Sequence, residues 1–398
     1  LDKKVVVIGT GYVGLPVAIM LANSGYEVVG IDIDKNIVEA INNGEMHINE
    51  DELKELMKGD MVRKNLTAQH TPCSADVFIV AVPTPLDEKK KVADLSFVVS
   101  AIESILPHLE KGNLIIVEST IPPLTCRDVI APLLEKTGLL VGKDVLLAHC
   151  PERILPGSIF QEIVENDRVI GGINEESSRM AKELYSSFVK GNLFVSDDVS
   201  AELTKLMENT YRDVNIALAN EFNSVGETLG VDINQAITFA NKHPRVNILR
   251  PGTGVGGHCI PIDPWFIKEV DPESCSLIFT ARKVNDEIPY KIAAKIRRAV
   301  KDISNPKIVA LGATYKANTN DLRNSPAIKI VDILTGEGYD VALHDPIAKE
   351  YAYSSIEKVA KGVDCLAILV EHEAIISELL ENEQSIKALM RTPIIMRF

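Results

Sequence analysis

The sequence predicts an α/β protein, with two doubly wound domains joined by a central helical domain that contains one long helix. Three observations carry this prediction. The chain opens on a strand, a glycine turn, a helix, a strand and an acid, in that order. Short apolar runs then alternate with helical stretches as far as Ile170, and helical periodicity takes over from Ser200. From Lys307 onward the opening pattern repeats. At 398 residues the chain exceeds one ordinary hydrophobic core. The boundaries drawn from these features are 1–196, 197–300 and 301–398.

The first element is Lys4-Val5-Val6-Val7-Ile8, which runs into Gly9-Thr10-Gly11-Tyr12-Val13-Gly14. Leu15 to Asn23 is helical, Gly25 breaks it, and Glu27 to Ile31 is a second strand ending at Asp32. In a strand–turn–helix of this kind Gly9 makes the tight turn, Gly11 admits a pyrophosphate and Gly14 lets helix and strand pack closely. The helix N-terminus offers its partial positive charge to the phosphates. Asp32 suits the adenosine ribose hydroxyls and repels a 2′-phosphate, so NAD is expected rather than NADP. Gly9, Gly11, Tyr12, Val13, Gly14 and Asp32 form the expected cofactor site of a Rossmann-like domain.

Val77 to Val82, Leu114 to Val117, Val145 to Leu147 and Val169 to Ile170 continue the alternation, which predicts a parallel sheet. Open α/β sheets bind ligands beyond the carboxyl ends of their strands. Thr84 in Pro83-Thr84-Pro85 and Thr120 in Glu118-Ser119-Thr120 are therefore expected to line the cofactor cleft, although each motif also reads as a turn. The loop Pro151 to Gly157 offers Glu152 as a catalytic carboxylate and Arg153 for a substrate anion. A surface salt bridge explains the same residues equally well.

From Ser200 to about Leu229, Leu203, Leu206, Met207, Val214, Leu218, Phe222 and Val225 recur at helical spacing. Lys205 and Asn209 stand four apart on one face with Arg212 close by, and such a pair can hold an oxyanion. A solvated helix face is the plainer alternative. Ala217, Ala219 and the apolar stripe suggest packing on both sides, as at a dimer seam. The loop from His243 to Arg250 leads into Gly254-Val255-Gly256-Gly257-His258-Cys259-Ile260-Pro261-Ile262-Asp263. Glycines there let backbone N–H groups approach a ligand, and donors around Cys259 favour a nucleophilic thiolate. The competing reading of Cys259 is a small buried hydrophobe beside a turn.

In the last domain Lys307 to Gly312 repeats the opening strand, Gly338-Tyr339-Asp340-Val341 parallels Gly25-Tyr26-Glu27-Val28, and Asp345 stands where Asp32 did. The turn, Gly312-Ala313-Thr314-Tyr315-Lys316, lacks the glycine fingerprint, so no second NAD is expected. Lys316 and Arg323 would instead hold a phosphorylated ligand, with Tyr315 beside it.

Composition narrows the partners. A net charge of −14 argues against a nucleic-acid or anionic-membrane surface. No apolar stretch approaches the roughly 18 to 20 residues of a membrane span. The first strand begins close to Leu1, which leaves no room for a signal peptide. The six cysteines lack C-x-x-C pairing, which fits reduced thiols in a cytoplasm and no zinc or other metal site. NAD and a catalytic cysteine together suggest oxidation of a primary alcohol through an aldehyde, a thiohemiacetal and a thioester that is hydrolysed to a carboxylate. Lys205 and Asn209 would hold the oxyanion, and Asp263 and Glu152 would manage water.

These motifs, with the run Leu311 to Arg323, resemble the UDP-sugar 6-dehydrogenases, the UDP-glucose and UDP-N-acetylmannosamine dehydrogenase superfamily, over essentially the whole chain. The cysteine loop through Trp265 and Phe266, and Tyr211-Arg212-Asp213-Val214-Asn215, are most similar to the UDP-N-acetyl-D-mannosamine branch. The glucose enzymes have a Lys where this chain has Ile262 and a second acid at the position of Pro156. The resemblance implies Cys259 as nucleophile, Lys205 as its charged partner and Thr120 in the catalytic set. It places Arg153, Ile154, Asn209, Arg212, His243, Arg245, Gly256, Tyr315 and Lys316 on the UDP-sugar, and Arg323, Thr84 and Thr120 on NAD. It implies a homodimer in which Arg245 serves the neighbouring subunit. The family usually follows its final strand with an Asp-x-Arg turn, a motif that the final run here, Ile394-Ile395-Met396-Arg397-Phe398, does not show. Oxidation of UDP-glucose or UDP-N-acetylglucosamine, a one-hydride hydroxyacid dehydrogenase and a non-catalytic NAD-binding protein are the rival readings.

Overall fold

The computed structural model describes residues 3–48, 50–154 and 157–398; Pro156 lies outside them. The chain divides into two compact units, Leu1–Glu208 with Trp265–Pro272, and Asn209–Pro264 with Glu273–Phe398.

The first unit is built on an eight-stranded sheet. Its strands are β1 (Lys4–Ile8), β2 (Glu27–Ile31), β3 (Leu66–Gln69), β4 (Val77–Val80), β7 (Leu114–Val117), β8 (Leu146–His149), β9 (Arg168–Gly172) and β10 (Leu193–Asp197). A small antiparallel hairpin, β5 (Leu86–Asp87) and β6 (Val92–Ala93), stands apart. The order across the sheet is β10-β9-β8-β7-β4-β1-β2-β3. The central strands are apolar on both faces because both are covered, as parallel sheets require. Val5, Val7 and Ile79 face one core and Val6, Phe78 and Val80 the other.

One expectation is corrected. The sheet is not wholly parallel, for β9 runs antiparallel to β8, pairing Ala148 with Gly172 and His149 with Gly171. The helix between them, Ile159–Glu165, has only seven residues and rises about 10 Å. A parallel return needs a full crossover, so the chain re-enters the sheet at the edge it has just left. Arg168, the first residue of β9, thereby lies at the same edge as the ends of β7 and β8. Gly171 also permits close approach, since a Cβ there would sit 2.5 Å from that of Ala201.

The second unit is built on a four-stranded parallel sheet of β11 (Lys307–Leu311), β12 (Asp340–His344), β13 (Cys365–Ile368) and β14 (Ile394–Arg397), in the order β12-β11-β13-β14. The long helix is present as Asp198–Leu229, 32 residues, or about 48 Å. Its second-unit part is fastened to the helix Ser276–Val300 by buried polar groups. Arg282 donates to the Asp213 carboxylate, and Asn285 Nδ2 donates to the backbone oxygen and carboxylate of Asp213, both at 2.9 Å. Asn215 and Asn220 hold the loop that follows. Asn215 donates to Asn247 O and accepts from Leu249 N, and Asn220 Oδ1 accepts from Gly252 N.

Among the described residues no helix is long and apolar enough to cross a membrane.

Candidate active site

The glycine turn after β1 has the shape its spacing predicts. Gly9 sits at φ +86°, where L side chains are strained. A Cβ on Gly14 would lie 1.9 Å from Gly9 O, so helix and turn touch backbone to backbone. A Cβ on Gly11 would meet nothing within 4 Å, which leaves the cradle open where a pyrophosphate approaches. Tyr12 is exposed and Val13 half-buried at its rim. Asp32 is held ready at the end of β2: Thr10 donates to Oδ2 through its backbone N (3.0 Å) and its hydroxyl (2.9 Å), and Asp34 N donates to Oδ1 at 3.0 Å.

The loops after β4 and β7 are tied together, since Ser119 Oγ donates to Val82 O at 2.7 Å. This fixes the positions of Thr84 and Thr120. Thr84 is buried, and its hydroxyl has no hydrogen-bond partner. A buried orphan hydroxyl beyond the strand ends and an open glycine cradle both fit NAD. Asp32→Ala is expected to weaken NAD binding roughly 10- to 100-fold, the worth of a charged hydrogen-bond acceptor. Fluorescence titration checks this, with Thr10→Val as the control for loss of turn geometry.

Glu152 is 7 % exposed and spends both oxygens: Oε1 accepts from Arg153 N at 2.6 Å and Oε2 from Arg168 at 2.9 Å. Arg168, 2 % exposed, lies 3.9 Å from the Glu118 carboxylate, to which Tyr185 donates at 2.5 Å. Burial, then the Glu152 charge, pushes Glu118 up to about 8, with Arg168 and Tyr185 pulling the other way. Burial opposes the Arg168 cation, but Glu152 and its neighbours outweigh that and raise its pKa. Sequence reading met Glu118 only as part of the Glu118-Ser119-Thr120 motif and gave no role to it, to Arg168 or to Tyr185. Arg153 makes the salt bridge, forking onto Glu208 and donating to Asp167 O; Ile154 is half-buried beside it.

Lys205 is 9 % exposed and Asn209 fully buried, so neither belongs to a solvated face. Lys205 acts on His149, a buried histidine that burial, with the Lys205 charge adding to it, pushes down to about 3. In the second unit Asn209 Nδ2 donates to Asp263 and Asn209 Oδ1 accepts from Arg212. The helix Asp263–Val270 begins where Asp263 N donates to Cys259 O at 2.9 Å.

Cys259 is exposed, whereas Cys126, Cys150, Cys275 and Cys365 are buried. Burial pushes Cys150 and Cys365 up to about 12, which makes them poor nucleophiles. One of the expected glycine donors is occupied. Gly257 N donates to Arg323 O at 2.9 Å, so that N–H is taken. A Cβ on Gly256 would fall 2.7 Å from Tyr315 Cβ and 2.7 Å from Asn324 O. Gly256 and Gly257 let the cysteine loop lie flat on the Tyr315–Asn324 segment, and the Gly257 N–H is not free for a ligand.

That contact puts charge beside the thiol. Arg323 is bidentate on Asp321; the Asp321 hydrogen bond chiefly, with Cys259 and Tyr315 contributing, raises its pKa. Burial first, then the charges of Asp321 and Cys259, raises the Tyr315 phenol, and Arg323 and Arg212 oppose this. Arg323 was expected on the cofactor; its neighbourhood to Cys259 was not legible in sequence. Lys316 is exposed on the same segment. His243 and Arg245 are exposed on the loop held by Asn215. Among the described residues no group of His, Cys, Asp or Glu is arranged to hold a metal ion.

Three family models match in succession: the UDP-glucose/GDP-mannose dehydrogenase NAD binding domain over residues 3–189, the central domain over 199–287 and the UDP binding domain over 309–397. The chain belongs to the UDP-glucose/GDP-mannose dehydrogenase family. It is thus an NAD-dependent UDP-sugar dehydrogenase by family, with its glycine turn in the NAD binding domain and Tyr315, Lys316 and Arg323 in the UDP binding domain. Among relatives, it is 50% identical to the UDP-N-acetyl-D-mannosamine dehydrogenase of Methanocaldococcus jannaschii, covering 94% of this chain and 86% of that one. It is 49% identical to the enzyme of the same name from Methanococcus vannielii, covering 93% and 86%. Among solved structures, the UDP-D-ManNAc dehydrogenase of Pyrococcus horikoshii superposes with a TM-score of 0.93 at 42% identity, covering 99% of this chain and 94% of that one.

Proposed function

We propose that this family member oxidises the C6 hydroxymethyl of UDP-N-acetyl-D-mannosamine to the carboxylate of UDP-N-acetyl-D-mannosaminuronate. The observation that carries this reading is the exposed cysteine beside Arg323 and Tyr315, in a chain 50% identical to a relative named for that substrate. NAD, when bound, supplies the hydride acceptor for each of two oxidations. Cys259 adds as thiolate to the C6 aldehyde, the thiohemiacetal loses its hydride to leave a thioester, and water releases the carboxylate and the thiol. Lys205 and Asn209 stabilise the oxyanion; Glu152, Asp263 and Thr120 orient the attacking water and handle its protons.

In the same reading Arg153, Ile154, Arg212, His243, Gly256, Tyr315 and Lys316 bind the UDP-sugar, while Arg245 serves the other copy of a homodimer. Support for the dimer comes from the long helix, where Met207, Tyr211, Leu218, Phe222, Val225 and Leu229 recur at spacings of three, four and seven and are all exposed. Residues 1–196 then form the NAD domain, 197–300 the dimer-forming domain and 301–398 the UDP-sugar domain of a cytoplasmic enzyme.

The test is stoichiometric. Two NADH are expected for each UDP-N-acetylmannosamine consumed, with a free 6-carboxylate as product. One NADH per sugar would return the chain to single-hydride chemistry. Turnover only of UDP-glucose or UDP-N-acetylglucosamine would keep the mechanism and change the substrate.

A further inference from the structure

Asp345 follows β12 as Asp32 follows β2, yet the two acids have opposite fates. Asp32 is half-buried beside an open cradle. Asp345 is fully buried and accepts from Ala313 N (2.6 Å), Ile347 N (2.7 Å) and Ala348 N (2.7 Å), with His372 Nε2 at 3.0 Å. Burial works against its charge, but the His372 hydrogen bond and those N–H groups outweigh it and hold the carboxyl below the usual range. The acid that would meet a ribose in a dinucleotide domain is thus consumed within this one.

His372 is the hub of that arrangement. Its ring is fully buried. Nδ1 accepts from Asn318 N at 3.0 Å, so the ring proton is on Nε2, which faces Asp345 and lies 3.1 Å from Thr314 Oγ1. Thr314 Oγ1 in turn donates to Lys316 O at 2.9 Å. Next door, Glu373 N donates to Asn318 Oδ1 at 3.0 Å, holding Asn318 in its left-handed conformation at φ +59°. The segment held in this way carries Tyr315, Lys316 and Arg323. At its far end Arg323 O accepts from Gly257 N (2.9 Å), and Asn324 Nδ2 donates to Gly257 O (3.0 Å), two residues before Cys259.

We infer that His372 is a positioning residue: by fixing the Thr314–Asn324 segment against the buried Asp345 carboxylate, it sets both the UDP-sugar contacts and the seat of the Cys259 loop. The inference rests on the proposed roles of Tyr315, Lys316 and Cys259. A backbone N–H that finds its acceptor only on one buried ring makes the segment depend on that ring.

The test pairs hydrogen exchange with kinetics on the full chain. In His372→Ala, amides of 314–324 and 256–259 are expected to exchange at least about tenfold faster, while β11 and β13 keep their protection. The KM for UDP-N-acetylmannosamine should rise about tenfold or more. His372→Asn, whose Oδ1 can still accept from Asn318 N, should recover much of both effects. Thr314→Val, which deletes a single hydroxyl, should loosen the same two segments by a smaller factor and without loss of fold. Unchanged protection of 314–324 in both His372→Ala and Thr314→Val would overturn the inference, as would loosening spread evenly over the whole sheet. If the two segments loosen as expected but the wild-type chain turns over no UDP-sugar, the positioning role stands and the functional reading falls.

Discussion

Cys259→Ser is expected to lower the overall four-electron oxidation by at least about a thousandfold, because the step removed is covalent. The substitution nearly preserves volume and keeps a polar atom at an exposed position, so folding should not change. A serine hydroxyl remains protonated where a cysteine is readily ionised, and the cations that border this site cannot make up that difference. The hydroxymethyl can still lose its first hydride, so the variant should release no more than one NADH per sugar. An aldehyde at C6 should then be trapped by hydroxylamine. Wild-type protein should yield two NADH and no trappable aldehyde. A Cys259→Ser chain that still made the carboxylate at an undiminished rate would remove the cysteine from the mechanism. The burial of Cys126, Cys150, Cys275 and Cys365 leaves none of those four as a substitute.

Much of this architecture was legible because it depends on spacing within a few residues. The opening strand, turn, helix and strand fell at Lys4–Ile8, Gly14–Asn23 and Glu27–Ile31, and the long helix at Asp198–Leu229. The β9 reversal was not legible, since an apolar run does not declare its direction. The Glu118–Arg168–Glu152–Tyr185 cluster followed it out of sight: its members are separated by 16 to 67 residues and meet only through that reversal. Gly256 and Gly257 were legible as glycines that something must approach closely. That Tyr315 is a group that approaches them depends on a segment almost sixty residues further along. Arg153 was legible as a group that would meet an anion, but its partner Glu208, 55 residues further along, was not.

Arg168→Met should produce the largest loss of stability, about 3–5 kcal/mol, the range for stripping one partner from a buried ion pair. The methionine fills much of the volume, but Glu152 then keeps a buried carboxylate with its guanidinium gone, beside the equally buried Glu118. The loss should depend on pH, and its sign follows from proton uptake. In the wild type Glu118 is pushed up to about 8, so the stability it contributes is complete below the ordinary carboxylate pKa and is lost as pH rises through 8. Arg168 restrains that rise and supplies the cation paired with Glu152. Without it the folded state must hold protons on both carboxyls that the unfolded chain releases. The deficit relative to wild type should therefore be small near pH 5 and grow toward pH 8, by up to about 1.4 kcal/mol per pH unit for one extra proton. Urea denaturation of the two chains across that range would measure it. Adding Glu152→Gln to Arg168→Met should return most of the stability at pH 8 and little at pH 5, because it removes the charge that the guanidinium had balanced. A deficit independent of pH, or one unaffected by Glu152→Gln, would mean that Arg168 stabilises through its packing on Tyr185 and Phe188, with the ion pair contributing little.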